Sequence, residues 1–331
     1  MEKLVSIITP CYNGADYIDA YAESLLKQTY CNCQLIFIDD GSKDNSKEKI
    51  FCYKSDFLEK GFSFEYYYQE NSGQAVAMAN GLSHLEGDYI IWPDVDDLLT
   101  TDSIQKKVSF LEEHKEYGIV RTDFMVVDEK EPAAVLEYGA QKYKEREKED
   151  LFLDYLLSRN MWLQPGCYMV RTEAFIKANP DKYIYPSRAG QNWQIVLPVL
   201  YYFRCGYLDE PLYVYILHKG SHSDSSDSSY EDKIKKYEEY EKLLLKTVQH
   251  MRISDEKKYA SLIKNCYARF KLDLAFEYRK KKDAEKFYKI LNSKNKCIKD
   301  RIKMRFADSA ILHVCILLLR NIRQILKNIR K

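Results

Sequence analysis

The first 125 residues alternate short apolar runs with amphipathic stretches, and that alternation constrains the fold more than any other feature. Runs at 5–9, 35–38, 64–68, 89–92 and 119–124 have the length and the β-branched or aromatic content of strands. Between the first two, Tyr17, Ile18, Tyr21, Ala22, Leu25 and Leu26 share one face at helical spacing. Ala75, Ala79, Leu82 and Leu85 repeat that spacing before the fourth run. Units of strand, helix and strand connect by right-handed crossovers into a mostly parallel sheet covered on both faces, so the expected class is α/β. Ligands of such sheets lie at the carboxyl ends of the strands.

The fourth run ends in Asp94-Val95-Asp96-Asp97, three carboxylates in four positions. They repel one another, and a divalent cation is the simplest way to neutralise them. A helix cap is the plainer alternative, because Thr100, Thr101, Asp102 and Ser103 lead into a helical pattern through Ile104, Val108 and Leu111. A calcium EF-hand loop fails, since Leu99 stands where Gly is needed and Gln105 where Glu is needed. A haloacid-dehalogenase phosphatase also carries Asp-x-Asp after a strand, though usually after its first. The first strand here ends instead in Thr9-Pro10-Cys11-Tyr12-Asn13-Gly14, and the second in Asp39-Asp40-Gly41-Ser42. All three ends are expected to face one crevice, where Tyr12 offers a ring to a base and Asp40 an acceptor to an imide N–H. Asp94 offers an acceptor to ribose hydroxyls or to a metal, and Asp96 is the first choice for ligating Mg2+ or Mn2+.

The 331 residues suffice for two domains, and the net charge of +1 argues against a global nucleic-acid-binding surface. Nine cysteines form an odd set without paired zinc spacing, which suits reduced thiols in a cytoplasmic protein. The N-terminus lacks a basic stretch before its apolar run, unlike a secretory signal, and the longest apolar run, 311–319, is too short to span a bilayer. A charged connection is expected at 139–150, a helix at 151–157, a linker at 221–229, and helices beyond it through Ile234, Tyr237, Leu244, Val248 and Met251 and through Tyr259, Ile263, Cys266 and Phe270.

In order and spacing, Val5 to Asn13, Asp39-Asp40-Gly41-Ser42, Asn71-Ser72-Gly73-Gln74 with Ala79-Asn80-Gly81, and Gly87 to Asp97 resemble a family 2 glycosyltransferase of the bacterial surface or capsular polysaccharide type. The resemblance is dense over 1–125 and thinner to about 223. It implies the GT-A fold, a nucleotide-sugar donor with UDP the expected nucleotide, a divalent metal and inversion at the anomeric carbon. It also implies donor contacts from Pro10, Tyr12, Asn13, Asp40, Gln74 and Asp94, with Asp94 and Asp96 the catalytic carboxylates. His218, in Leu217-His218-Lys219-Gly220, matches a family segment whose His completes the metal or diphosphate site. The expected layout is a catalytic domain over 1–223 (nucleotide-sugar half 1–125, acceptor half 126–223), a helical extension over 224–300 and a basic amphipathic tail over 301–331.

One departure from the family pattern concerns the base. Many members carry Glu-Asp where this chain has Gln191-Asn192, and an amide cannot accept the acceptor's proton. Gln191, Asn192, Trp193 and Trp162 still have the types expected of an acceptor groove, amides for hydroxyls and aromatics for a ring face. In the tail, Ile322, Ile325, Leu326 and Ile329 share a helical face among cations, the pattern of an interfacial helix on the inner face of the cytoplasmic membrane. The expected function is transfer of a sugar to a glycan or lipid-linked glycan. The alternatives are a nucleotide-sugar-binding homologue without transfer and a dehalogenase-type phosphatase.

Overall fold

The computed structural model describes residues 2–188, 190–218 and 229–305. Nine strands form one sheet: β1 (Val5–Cys11), β2 (Cys33–Asp39), β3 (Ser63–Tyr68), β4 (Tyr89–Ile91), β5 (Leu98–Leu99), β6 (Tyr117–Asp128), β7 (Glu131–Tyr138), β8 (Tyr168–Arg171) and β9 (Arg204–Leu217). The helices are α1 (Ala15–Leu26), α2 (Ser46–Cys52), α3 (Lys54–Lys60), α4 (Gln74–Ser83), α5 (Ser103–Glu113), α6 (Phe152–Leu156), α7 (Thr172–Ala178), α8 (Gln191–Tyr202), α9 (Tyr230–His250), α10 (Glu256–Glu277), α11 (Lys281–Ile290) and α12 (Ile298–Arg305).

The strand order is β3-β2-β1-β4-β8-β6-β9-β5, with β7 paired to β6. From β3 to β4 all pairs are parallel, as the crossovers require. Beyond β4 the sheet is mixed: β8 runs antiparallel to both β4 and β6, whereas β6 and β9 are parallel. β1 and β2 are buried on both faces except at Pro10, which accounts for their nearly unbroken apolar runs. The five strands expected from apolar runs are present, each within a few residues of its anticipated bounds.

Four strands were not legible, and of these β5 has only two residues. β9 carries Asp209-Glu210-Pro211, which reads as a turn, and the chain absorbs the proline at a register shift where Asp123 pairs with Pro211. β8 has only four residues, all buried, too few for a periodicity. β7 is exposed along its whole length and alternates nothing.

The chain divides into two compact units, one of 1–224 with 243–254 and one of 225–242 with 255–331. Tyr230, Leu272, Leu274, Phe287 and Leu291 form the core of the second. No helix among the described residues is long and apolar enough to cross a membrane. Most of the expected linker and, beyond Arg305, the basic tail lie outside the described residues.

Candidate functional site

Each strand end reaches the site through a tight, hydrogen-bonded loop. After β1, Asn13 takes a left-handed conformation (φ 52°), which a short polar side chain tolerates, and its Oδ1 accepts from Lys43 N at 2.8 Å. The N–H groups at the start of α1 are met by neighbours: Ser46 Oγ accepts from Gly14 N at 2.9 Å and Asp44 from Ala15 N at 3.0 Å. After β2, Asp39 accepts from Ser42 N (2.8 Å) and Tyr66 O–H (2.6 Å). Gly41 has φ +79°, and a Cβ there would stand 2.7 Å from Asn71 N, so only glycine permits this close approach of the two loops.

Asp40 is buried and takes three donors: Gln69 Nε2 at 2.7 Å, Ser72 N at 2.9 Å and Gly73 N at 2.8 Å. Asn80 Nδ2 in turn holds Gln69 Oε1 at 2.9 Å. These bonds fasten the 69–73 loop, and with it the start of α4, to the end of β2.

After β4, Trp92-Pro93 stops the ladder, since proline donates no hydrogen bond, and the acidic loop follows. Asp94, Asp96 and Asp97 each offer an oxygen, and these three atoms lie within 4.8 Å of one another. Their surroundings differ. Asp97 is buried, accepting from Tyr213 O–H at 2.7 Å and Ile216 N at 2.8 Å, and so ties the loop to β9. Asp94 and Asp96 are partly exposed, and Gln74 Nε2 donates to Asp94 at 2.8 Å from the first residue of α4. Burial, then the charge of Asp96, pushes the Asp94 carboxyl up to about 8, against the Gln74 hydrogen bond. Asp97 is also raised well above the usual range, by burial and then by Asp96 and Asp94. The oxygen donors of Asp94 and Asp96 therefore fit a hard divalent cation, which would relieve this repulsion.

His218 follows the end of β9. Its Nδ1 lies 2.8 Å from Glu129 Oε2, its Nε2 3.2 Å from the Asp96 carbonyl oxygen, and its ring packs on Tyr17 at 4.6 Å between centroids. A carboxylate only accepts, so Nδ1 donates in the Glu129 bond; the Asp96 carbonyl also only accepts, so Nε2, the atom turned toward the acidic loop, has a lone pair for a metal only when it is not donating to that carbonyl.

These loops enclose one crevice of about 560 Å³. Its lining includes Pro10, Tyr12, Asn13, Asp40, Gln74, Asp94, Asp96 and His218, so the expected donor and metal residues come together. The lining also holds Tyr17, Asn71, Arg188 and Tyr215, to which sequence reasoning gave no site role. Tyr17 had been legible only as a member of the α1 apolar face. Arg188 precedes α8 in a stretch without periodicity, so no sequence signal marked it.

The four expected acceptor residues are not on that lining. Trp193 is buried and donates through Nε1 to Tyr155 O at 3.2 Å. Trp162 is buried too, donating to Thr122 O at 3.1 Å, with the Arg121 guanidinium 4.1 Å from its ring centroid. Burying an indole gains far more apolar contact than leaving it at a rim, and each N–H finds a carbonyl. The structure thus places both rings in the core rather than along a groove. Gln191 is buried as well. Asn192 accepts from Trp92 Nε1 at 2.8 Å and donates to Leu163 O at 2.7 Å, which occupies both ends of its amide.

A family model for glycosyl transferase family 2 matches residues 6–177, more than half of the chain. The chain belongs to that family. This family 2 member is 34% identical over 156 residues to an uncharacterized glycosyltransferase of Rickettsia typhi, 46% of each chain. It is 30% identical over 177 residues to the glycosyltransferase GlyG of Streptococcus pneumoniae, covering 53% of this chain and 55% of that one. With the putative teichuronic acid biosynthesis glycosyltransferase TuaG of Bacillus subtilis it shares 34% identity over 112 residues, 34% of this chain and 43% of the other. The chain thus spans about half the length, or less, of these curated relatives.

Among solved structures, residues 1–349 of Staphylococcus aureus TarS in complex with UDP-GlcNAc align with a TM-score of 0.64 at 17% identity, covering 93% of this chain and 88% of that one. The mannosyltransferase PcManGT of Pyrobaculum calidifontis, in complex with GDP-Man and Mn2+, aligns with a TM-score of 0.56 at 14% identity, covering 94% and 81%. At such identities the likeness concerns the α/β fold alone. Family membership removes the phosphatase alternative.

Proposed function

We propose that this family 2 glycosyltransferase moves a sugar from a UDP-sugar onto a glycan or lipid-linked glycan in surface polysaccharide assembly. The observation that carries the proposal is the convergence of Tyr12, Asp40, Asp94 and Asp96, from the ends of β1, β2 and β4, on one crevice. TarS with UDP-GlcNAc and TuaG in teichuronic acid biosynthesis support the choice of donor and acceptor class.

In this reading Pro10, Tyr12 and Asn13 bound the base, while Asp40, held by the 69–73 loop, keeps a lone pair for its imide N–H. Asp94, oriented by Gln74, accepts from ribose or joins Asp96 and His218 in holding Mg2+ or Mn2+. Such an ion supplies positive charge to the diphosphate as it departs. Asp97 fixes the loop, so that Asp94 and Asp96 are already in place when the donor arrives. Arg188, on the crevice lining, would supply a cation to the donor's anionic end. Transfer proceeds by displacement with inversion, and the proton acceptor is a group other than residue 192. The protein works in the cytoplasm, at the inner face of the cytoplasmic membrane, which residues 301–331 contact peripherally.

A thermal-shift screen of nucleotide sugars with and without Mn2+ tests donor class and metal dependence without knowledge of the acceptor. Stabilisation by a UDP-sugar plus Mn2+ is expected; indifference to every nucleotide sugar overturns the proposal. The engaged amide of Asn192 favours a second reading, a donor-binding homologue that has lost transfer. Transfer to any acceptor, or slow donor hydrolysis, excludes it.

A further inference from the structure

The second unit carries an asymmetry that donor chemistry does not explain. Between Arg279 and Arg305 there are twelve Lys or Arg residues against three acids, while the whole chain nets only +1. Lys282, Lys286, Lys289, Lys294, Lys299 and Arg301 are all exposed.

Among these cations stand isoleucines that folding leaves outside. Asp300, 2% exposed, receives a two-pronged bond from Arg269, Nη1 to Oδ1 at 2.8 Å and Nη2 to Oδ2 at 2.9 Å. That clamp fixes which side of α12 faces inward. At about 100° per residue, positions two before and two after Asp300 lie about 160° away on the opposite side. They are Ile298, 76% exposed, and Ile302, 49% exposed; Ile290, 48% exposed, belongs to the same unit. Bare isoleucines between exposed cations need a partner with both an apolar interior and a negative surface.

We infer that this face of α12, with the cations around it, docks on a bilayer containing anionic lipid, Ile298 and Ile302 entering the acyl boundary while the ammonium groups meet the headgroups. Nucleic acid would satisfy the cations and leave the isoleucines in water. A second copy would set the same cation excess against itself. The chain's own residues 306–331 are an equally poor cover, since they bring five Lys or Arg against Asp308 alone. The inference deepens the peripheral membrane contact proposed above, moving it from the tail alone to a folded surface of defined orientation.

The test is sedimentation of the full chain with phosphatidylcholine vesicles, with and without phosphatidylglycerol. Binding is expected only with the anionic lipid and should weaken as salt rises. Ile298→Asp/Ile302→Asp should reduce it at least tenfold, while the thermal shift produced by UDP-sugar and Mn2+ stays unchanged; both positions are exposed, so the fold should tolerate them. Lys286→Glu/Lys289→Glu should erase the preference for anionic lipid. Parental binding by the isoleucine variant overturns this inference and leaves the tail as the membrane contact. Failure of the parent to bind any vesicle overturns the membrane reading altogether, and a change in the isoleucine variant's oligomeric state assigns the face to a second copy and refutes the inference.

Discussion

Trp92 Nε1 donates to Asn192 Oδ1 across 2.8 Å, joining the end of β4 to the first turn of α8. The other end of the amide donates to Leu163 O, so the side chain serves both as acceptor and as donor. A carboxylate could replace only the first role. Asn192→Asp would face the Leu163 carbonyl with a second acceptor and is expected to cost about 1–3 kcal/mol of stability. Denaturant unfolding of the variant checks this, and transfer or donor hydrolysis should not rise. A gain in turnover would mean that position 192 can act as the base.

The acidic cluster divides by role. Asp97→Ala orphans Tyr213 O–H and Ile216 N in the interior and should cost roughly 2–4 kcal/mol. Asp96→Asn should leave the unfolding midpoint near the parent's but remove most of the Mn2+ affinity, as read by the ion's paramagnetic signal. Equal Mn2+ binding by parent and Asp96→Asn would contradict this division.

Glu129 reaches the site through His218. If their 2.8 Å contact orients the imidazole with Nε2 toward the acidic loop, Glu129→Gln should weaken Mn2+ binding by about tenfold or more. Glu129→Asp, shorter but still charged, should recover part of it. An unchanged metal affinity in the Gln variant would reduce Glu129 to a surface ion pair.

How much of this was legible follows from how each part is built. β1 and β2 announced themselves because doubly buried strands are nearly unbroken apolar runs, and the loops after β1, β2 and β4 carry Tyr12, Asp40 and Asp94. In the mixed half only β6 did, because β9 passes through Asp209-Glu210-Pro211, β8 is four residues long and β5 two. The two tryptophans misled for a physical reason: the same ring that suits a sugar face also suits a core, and only the tertiary contacts of Trp162 and Trp193 decide between them. Glu129 was invisible because its partner lies 89 residues away.

The Asp94 carboxyl supplies a pH signature. Its folded value, up to about 8, stands above the ordinary carboxylate value near 4, so the folded chain holds a proton that the unfolded chain releases. That contribution to stability is fully present below about pH 4 and is lost as pH rises toward about 8. Without metal, the melting temperature of the parent should therefore fall relative to Asp94→Asn across this window. Added Mn2+ should stabilise the parent more at pH 8 than at pH 6, because less protonated carboxyl remains to be displaced. Parallel pH profiles for the two proteins would contradict the assignment.

The most direct test of the donor site is calorimetric titration of UDP in the presence of Mn2+, comparing the parent with Asp96→Asn. Saturable UDP binding that depends on Mn2+, weakened at least tenfold in the variant, is the predicted result. Equal affinity in both proteins, or no binding of UDP to the parent, would contradict it.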